Sequence, residues 1–235
     1  MRSLIFLILF SSQAFAALSI RDLDGDWSNG HEGVYDDVLD ITWLADANYA
    51  KTSGYSAQNY SECGNYSGCV TDVLASGQFG WQAAKDWADS LEIFNQTNWR
   101  LPSIVRPLMN QAGYLTPFSE LGHMYNANFG FSFNWCCLPI ANSEFTASSI
   151  HTTSPSNEID KFSNIYAVGY WNEEQASGYS AWSTNMISGS TSDTYKNSHV
   201  YAWAVHDGDV GNPVPLPAGF WLFASGLISL RLFKR

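Results

Sequence analysis

Two apolar ends bracket this chain and confine whatever folds to the stretch between them. At the front, Arg2 precedes the apolar run Leu4–Phe10, and Ala14-Phe15-Ala16 offers a small-x-small cleavage site. That order is a secretory leader, so residues 1–16 are expected to be removed and the mature chain to start near Ala17. The run is too short to favour a first transmembrane helix. At the back, Val214, Pro215, Leu216, Pro217 and Ala218 lead into an apolar stretch ending at Leu230, and Arg231, Lys234 and Arg235 follow. The prolines stop local structure and leave a cleavable extended segment. The apolar part is shorter than the ~20 residues that comfortably span a bilayer, and the basic end would hold it on the cytoplasmic side. Residues 213–235 therefore read as a tail that inserts transiently in a membrane, and residues 17–212 as the body.

The body has roughly 200 residues, enough for one domain around a single core. Setting Arg2, Arg231, Lys234 and Arg235 aside leaves seven basic residues against twenty-two acidic ones. Such a balance argues against nucleic acid, whose phosphates need a basic face. It suits a soluble exported protein, or one that meets cations. Aromatic residues make up 15% of the chain. Most are expected in the core, although tryptophan and tyrosine also stack on sugars.

The four cysteines are Cys63, Cys69, Cys136 and Cys137. An even count in an exported chain suggests disulfides. A local Cys63–Cys69 bridge is the first expectation; cross-links from the adjacent Cys136 and Cys137 to Cys63 and Cys69 are the second. Zinc is disfavoured, because no paired Cys-x-x-Cys or histidine spacing is present.

Along the body, Asp22, Asp24 and Asp26 alternate around Gly25 and are a candidate calcium turn. No glutamate stands at the twelfth position that an EF-hand loop requires, and a solvated acidic turn is the plainer reading. Val34–Leu44 predicts a short hairpin turning at Asp36-Asp37, and the polar stretch Asp46–Gly77 a loop. Trp81–Leu91 predicts a helix with Trp81, Ala84, Ala88 and Leu91 on one stripe and Trp87 beside it. Ser103 is a candidate cap for a helix running to Met109 that Pro107 cuts short. Thr116 with Pro117 is a candidate start for a helix Phe118–Tyr125. Ala141–Lys161 reads as a long surface loop. Ile165–Glu173, Tyr179–Ile187 and Tyr195–His206 read as an antiparallel meander, with parallel pairing disfavoured by the short connections. Helices followed by sheet predict an α+β fold.

Two resemblances extend this reading. The tail resembles the VPLPA-type variant of the PEP-CTERM sorting signal: Val214–Ala218 match the pentapeptide, and Trp221–Leu227 match the Trp-Leu-Phe-Gly-Ser-Gly-Leu that follows, with Ala224 in place of the glycine. The resemblance implies a substrate of exosortase, a membrane enzyme of Gram-negative bacteria that also make exopolysaccharide. The body resembles the Lcl C-terminal-like domain in five blocks: Val34–Tyr49, Trp81–Leu91, Trp99-Arg100-Leu101-Pro102-Ser103, Ser119–Tyr125, and Tyr170-Trp171 with Tyr201–Val210. It implies a C-type-lectin-like single domain, two or three short helices packed on a small antiparallel sheet with long loops. The chain departs from that family at His206, at Asn172-Glu173 and at Arg106, which puts any shared ligand chemistry in doubt. A relative of this family binds sulfated polysaccharide, a ligand that the acidic balance here disfavours.

No zinc helix or nucleophile elbow is present, and Glu173 and Glu174, adjacent on a strand, would point to opposite faces. The expectation is therefore a non-enzymatic envelope or matrix protein at the outer cell surface that recognises or embeds in extracellular polysaccharide. A structural matrix protein without a ligand and an unrecognised hydrolase are the alternatives. Trp171, Asn172 and Glu173 are the candidate ligand set, with Trp171 as a stacking face and the other two as oxygen donors. The plainer reading makes Trp171 core. Trp99, Arg100, Leu101 and Pro102 read as a buried turn in which Arg100 pairs with a carboxylate such as Asp46 or Asp209.

Overall fold

The computed structural model describes residues 18–59, 73–104, 119–131, 156–166 and 168–213. It is mixed α+β, built mostly of two sheets with a few short helices. Strand β1 (Leu18–Asp22) and β2 (Gly33–Asp36) form a hairpin with Arg21 opposite Gly33 and Leu18 opposite Asp36. Strand β3 (Ile41–Leu44) returns along β2 after the predicted turn. That turn is fixed by Asp36, whose Oδ1 accepts from the backbone N–H of Val38 and Leu39. Asp36 is fully buried, and its Oδ2 accepts from the Asn128 amide at 2.7 Å.

Two short helices, α1 (Tyr49–Thr52) and α2 (Tyr55–Asn59), lie where the sequence predicts loop. Each is about one turn, too short to show an apolar period, and α1 is held by tertiary contact at Ala50, which is fully buried. Strand β4 (Gln78–Phe79) then leads into α3 (Trp81–Asp89), the predicted helix. Its buried residues are Trp81, Ala84, Trp87 and Ala88; Leu91, expected on the same stripe, lies past the helix end and is half-buried, and Ser90 ends the helix with backbone bonds to the last turn.

Strand β5 (Trp99–Arg100) follows. Ile104, expected to open the helix after Ser103, instead forms a bridge with Ser119, and the rest of the predicted segment, like Thr116 and Pro117, lies outside the described residues. Ser119 is the cap of α4 (Glu120–His123), its hydroxyl accepting from the Gly122 N–H at 2.8 Å. The helix continues with wider turns over Met124–Asn128. Near the end of the predicted long loop, Ser156 caps a 3-10 turn, Asn157–Lys161.

The meander is present as β6 (Gly169–Gln175), β7 (Ser180–Asn185) and β8 (Thr191–Tyr195). The third predicted strand is broken into β9 (Val200–Tyr201) and β10 (Val205–Asp207), and β11 (Asn212–Pro213) closes the body. One sheet has the order β11-β1-β2-β3-β10-β5, the other β4-β9-β6-β7-β8. The expectation of wholly antiparallel pairing is corrected at Tyr170 and Tyr201, where β6 and β9 run parallel. The β7–β8 hairpin supplies the length that a parallel return needs.

Ala202-Trp203-Ala204 carries the chain from the second sheet to the first, and all three residues are buried. Trp203 stands at the centre of the core: its ring lies 4.9 Å from Trp43, 5.1 Å from Phe162 and 5.8 Å from Tyr170. Edge and tilted contacts of this kind add about 0.5–1.5 kcal/mol per pair beyond area burial. Among the described residues tryptophan is used mostly internally: Trp43, Trp87, Trp99, Trp171 and Trp203 are fully buried and Trp81 nearly so. Cys63, Cys69, Cys136 and Cys137 lie outside the described residues, as do Val214–Ala218 and the apolar tail. No helix among the described residues is long and apolar enough to cross a membrane.

Candidate functional site

The β1–β2 connection gathers carboxylates. Asp22 ends β1 and is 1% exposed. Its Oδ1 accepts from the backbone N–H of Gly25 at 2.6 Å and of Asp26 at 3.2 Å, so the carboxylate folds the turn back on itself. Gly25, at φ +87°, takes the left-handed conformation this demands. Asp22 Oδ2 is sealed from solvent and has no hydrogen-bond partner.

Glu32 joins this group. Arg21 pairs with Gly33 across the hairpin, and Glu32, just before β2, lies alongside the end of β1. The Glu32 N–H donates to Arg21 carbonyl, and one Glu32 carboxylate oxygen accepts from the Leu23 N–H at 2.9 Å. Oxygens of Asp22, Asp24 and Glu32 lie within 4.8 Å of one another. Asp24 accepts from the Asn29 amide and the Asp26 N–H, which hold its carboxyl below the ordinary range. Asp26 is the correction. Its carboxylate turns to Ser28, whose hydrogen bonds depress its pKa, and it is not one of the converging groups. Glu32 stands at the eleventh position of the motif, one short of the EF-hand glutamate, so linear spacing hid it. The hairpin register was the signal that could have found it.

The turn Trp99–Pro102 is built as a joint. Trp99 and Leu101 are buried, and the Trp99 indole N–H donates to the Gln96 carbonyl. Arg100 makes two parallel bonds to Glu120, both 2.8 Å, and also reaches Asp207. Burial opposes its charge, but hydrogen bonding to Glu120, and then to Asp207, keeps the guanidinium well above its ordinary pKa. The partner is a carboxylate, as expected, but neither Asp46 nor Asp209. Asp46 accepts from the Asn48 N–H and from Thr52, and Asp209 pairs with Arg21. Glu120 was not foreseen. It comes from α4, distant in sequence, and also accepts from the Ser103 N–H at 2.7 Å. The Pro102 carbonyl accepts from the Glu173 N–H, so this turn also fastens β6.

Trp171, Asn172 and Glu173 do not form an open ligand set. Trp171 is fully buried and its indole donates to the Phe79 carbonyl at 2.9 Å, so neither ring face can stack on a sugar. Asn172 is equally buried; its amide donates to Thr184 and its carbonyl backbone oxygen accepts from the Trp81 indole. Glu173 pairs with Lys85 of α3. Tyr170 and Trp171 are consecutive and point to opposite faces of β6, and both are buried, so the strand is covered on both sides.

Other aromatics remain outside. Tyr179 is 84% exposed and Tyr195 72% exposed, at the end of β7 and β8 where Ser180 pairs with Tyr195. Lys196 bridges this end to α3, its ammonium lying 4.6 Å from the Trp81 ring centre and bonded to Gln175. Hydroxyl pairs Ser183–Thr194 and Thr184–Thr191 link the two strands.

No protein-family profile matches the sequence, and no curated protein matches it significantly.

Proposed function

We propose that this chain is an exported, exosortase-processed protein of the cell envelope or extracellular matrix. In this reading its body is a non-enzymatic C-type-lectin-like module that recognises or embeds in extracellular polysaccharide. The observation that carries the reading is the pairing of two targeting ends, Ala14-Phe15-Ala16 before the body and Val214–Ala218 after it, with an acidic body between them. The geometry supports a binding role over a catalytic one: Glu120, Glu173 and Asp209 are each engaged by a cation in the fold. A polysaccharide would stack on the exposed rings of Tyr179 and Tyr195, which take the part first given to Trp171.

Mass spectrometry of the protein recovered outside the cell tests the targeting half. The expected product starts near Ala17 and lacks Phe220–Leu230; an intact tail in the mature product overturns it. Pull-down on neutral extracellular polysaccharide tests the binding half. Tyr179→Ala with Tyr195→Ala should abolish retention while leaving the thermal midpoint unchanged. Equal retention by both proteins, or none by the unaltered protein, leaves a structural matrix role. Turnover of a polysaccharide by the purified chain would establish the hydrolase instead.

A further inference from the structure

We infer that Asp22, Asp24 and Glu32 bind a calcium ion in the β1–β2 connection. Three carboxylates with oxygens within 4.8 Å of one another repel one another, and nothing in the turn separates them. Among the described residues no cation relieves this. The neighbouring Arg21 is committed to Asp209, with bonds of 2.5 and 2.9 Å, and among the described residues no lysine, arginine or histidine pairs with any of the three.

A second observation points to a ligand rather than to a merely acidic turn. Asp22 is 1% exposed, and its Oδ2 has neither water access nor a hydrogen-bond donor. Buried carboxylate oxygens without a partner are costly and uncommon. The backbone donors of the turn are already used on the other oxygen, by Gly25 and Asp26. What the fold lacks at this point is therefore a positive charge that reaches a buried oxygen and needs no hydrogen.

The donor set selects the ion. All three ligands are carboxylates, with no histidine or cysteine, which favours a hard cation over zinc or copper. The turn is irregular and partly open, with Asp24 at its mouth, and suits a large ion with variable coordination completed by water. Magnesium demands a tighter octahedron. Extracellular calcium modules bind at roughly 10⁻⁴–10⁻³ M, and three charged ligands place this site in that range. The inference does not depend on export or on polysaccharide recognition.

The full chain, purified in mild detergent and stripped with EDTA, is titrated with terbium while luminescence sensitised by Trp27 is recorded, and with calcium by calorimetry. The expected result is saturable binding of a single ion, with calcium displacing terbium better than magnesium does. Glu32→Gln and Asp24→Asn should each weaken binding at least about tenfold, and Asp26→Asn by less than about twofold. Asp22→Asn should abolish it; because Asp22 also folds the turn, its circular dichroism is compared, and Glu32→Gln and Asp24→Asn decide if it unfolds. Calcium should also raise the thermal midpoint of the unaltered chain and not that of Glu32→Gln. No saturable binding by about 10 mM calcium, preference for magnesium, or loss in Asp26→Asn with retention in Glu32→Gln overturns the site.

Discussion

The indole N–H of Trp203 donates to the backbone carbonyl of Leu44 at 2.7 Å, and both groups are buried. Leu44 ends β3 in one sheet, and Trp203 lies where the chain leaves the other. One side chain thus fastens the joint between the two layers and fills the space around it.

Replacing Trp203 should therefore be among the most damaging single changes. Trp203→Ala is expected to cost about 3–5 kcal/mol, since the cavity would open between Trp43, Phe162 and Tyr170. Trp203→Phe keeps much of the packing but loses the donor to Leu44, and should cost about 1–3 kcal/mol. Urea unfolding of the three proteins orders these effects; equal stability of wild type and Trp203→Ala would contradict the core described here.

Arg100 and Glu120 should behave as a coupled pair. Glu120 is the more buried partner, with 8% of its side chain exposed against 23% for Arg100. Arg100→Met strands a buried carboxylate and is expected to cost about 3 kcal/mol. Glu120→Gln leaves Arg100 with Asp207 and should cost less, about 1–2 kcal/mol. The double substitution should cost less than the two singles together, by about 1 kcal/mol or more. A double-mutant cycle in urea measures this directly, and strict additivity would show that the two groups act independently.

Gly77 should not tolerate a side chain. Its φ is +89°, and a Cβ there would run into the Asn48 side chain. Asn48 in turn donates to the Ser76 carbonyl at 3.0 Å, so it cannot step aside without losing that bond. Gly77→Ala is expected to destabilise by about 1–3 kcal/mol. Gly178→Ala, where a Cβ meets nothing within 4 Å, serves as the control and should be nearly neutral.

Tyr170 should make the protein sensitive to alkali. Burial raises its phenol pKa well above the ordinary value, opposed only by the hydrogen bond from the Tyr166 N–H. Below about pH 10 the phenol is protonated in both folded and unfolded chains, and pH has no effect through this group. Above it, the unfolded chain loses the proton and the folded chain does not, so stability falls by up to about 1.4 kcal/mol per pH unit. Tyr125 and Tyr55, also raised by burial, add to the slope. Urea midpoints between pH 9 and 11 should fall, and less steeply for Tyr170→Phe; a flat profile would contradict the burial of this ring.

What the sequence made legible was local. The Trp81–Asp89 helix has its period in its own residues, and the Val34–Leu44 hairpin is rich in β-branched and aromatic residues around a turn-forming aspartate. What it hid was set by residues far apart in the chain. Glu120 meets Arg100 from another element, and Tyr201 joins Tyr170 in parallel only after a hairpin has intervened. Trp171 shows the same limit at the level of function: its letters resemble a sugar-binding strand, yet α3 and β4 cover it, and only their packing decides that. Glu32 was hidden by one position of spacing and becomes visible once the hairpin register is known.

Strands β1 and β11 lie side by side and antiparallel, with Arg21 opposite Pro213. The chain therefore enters and leaves the body on the same rim. With its described ends on adjacent strands, the body meets whatever adjoins it at a single place in the fold.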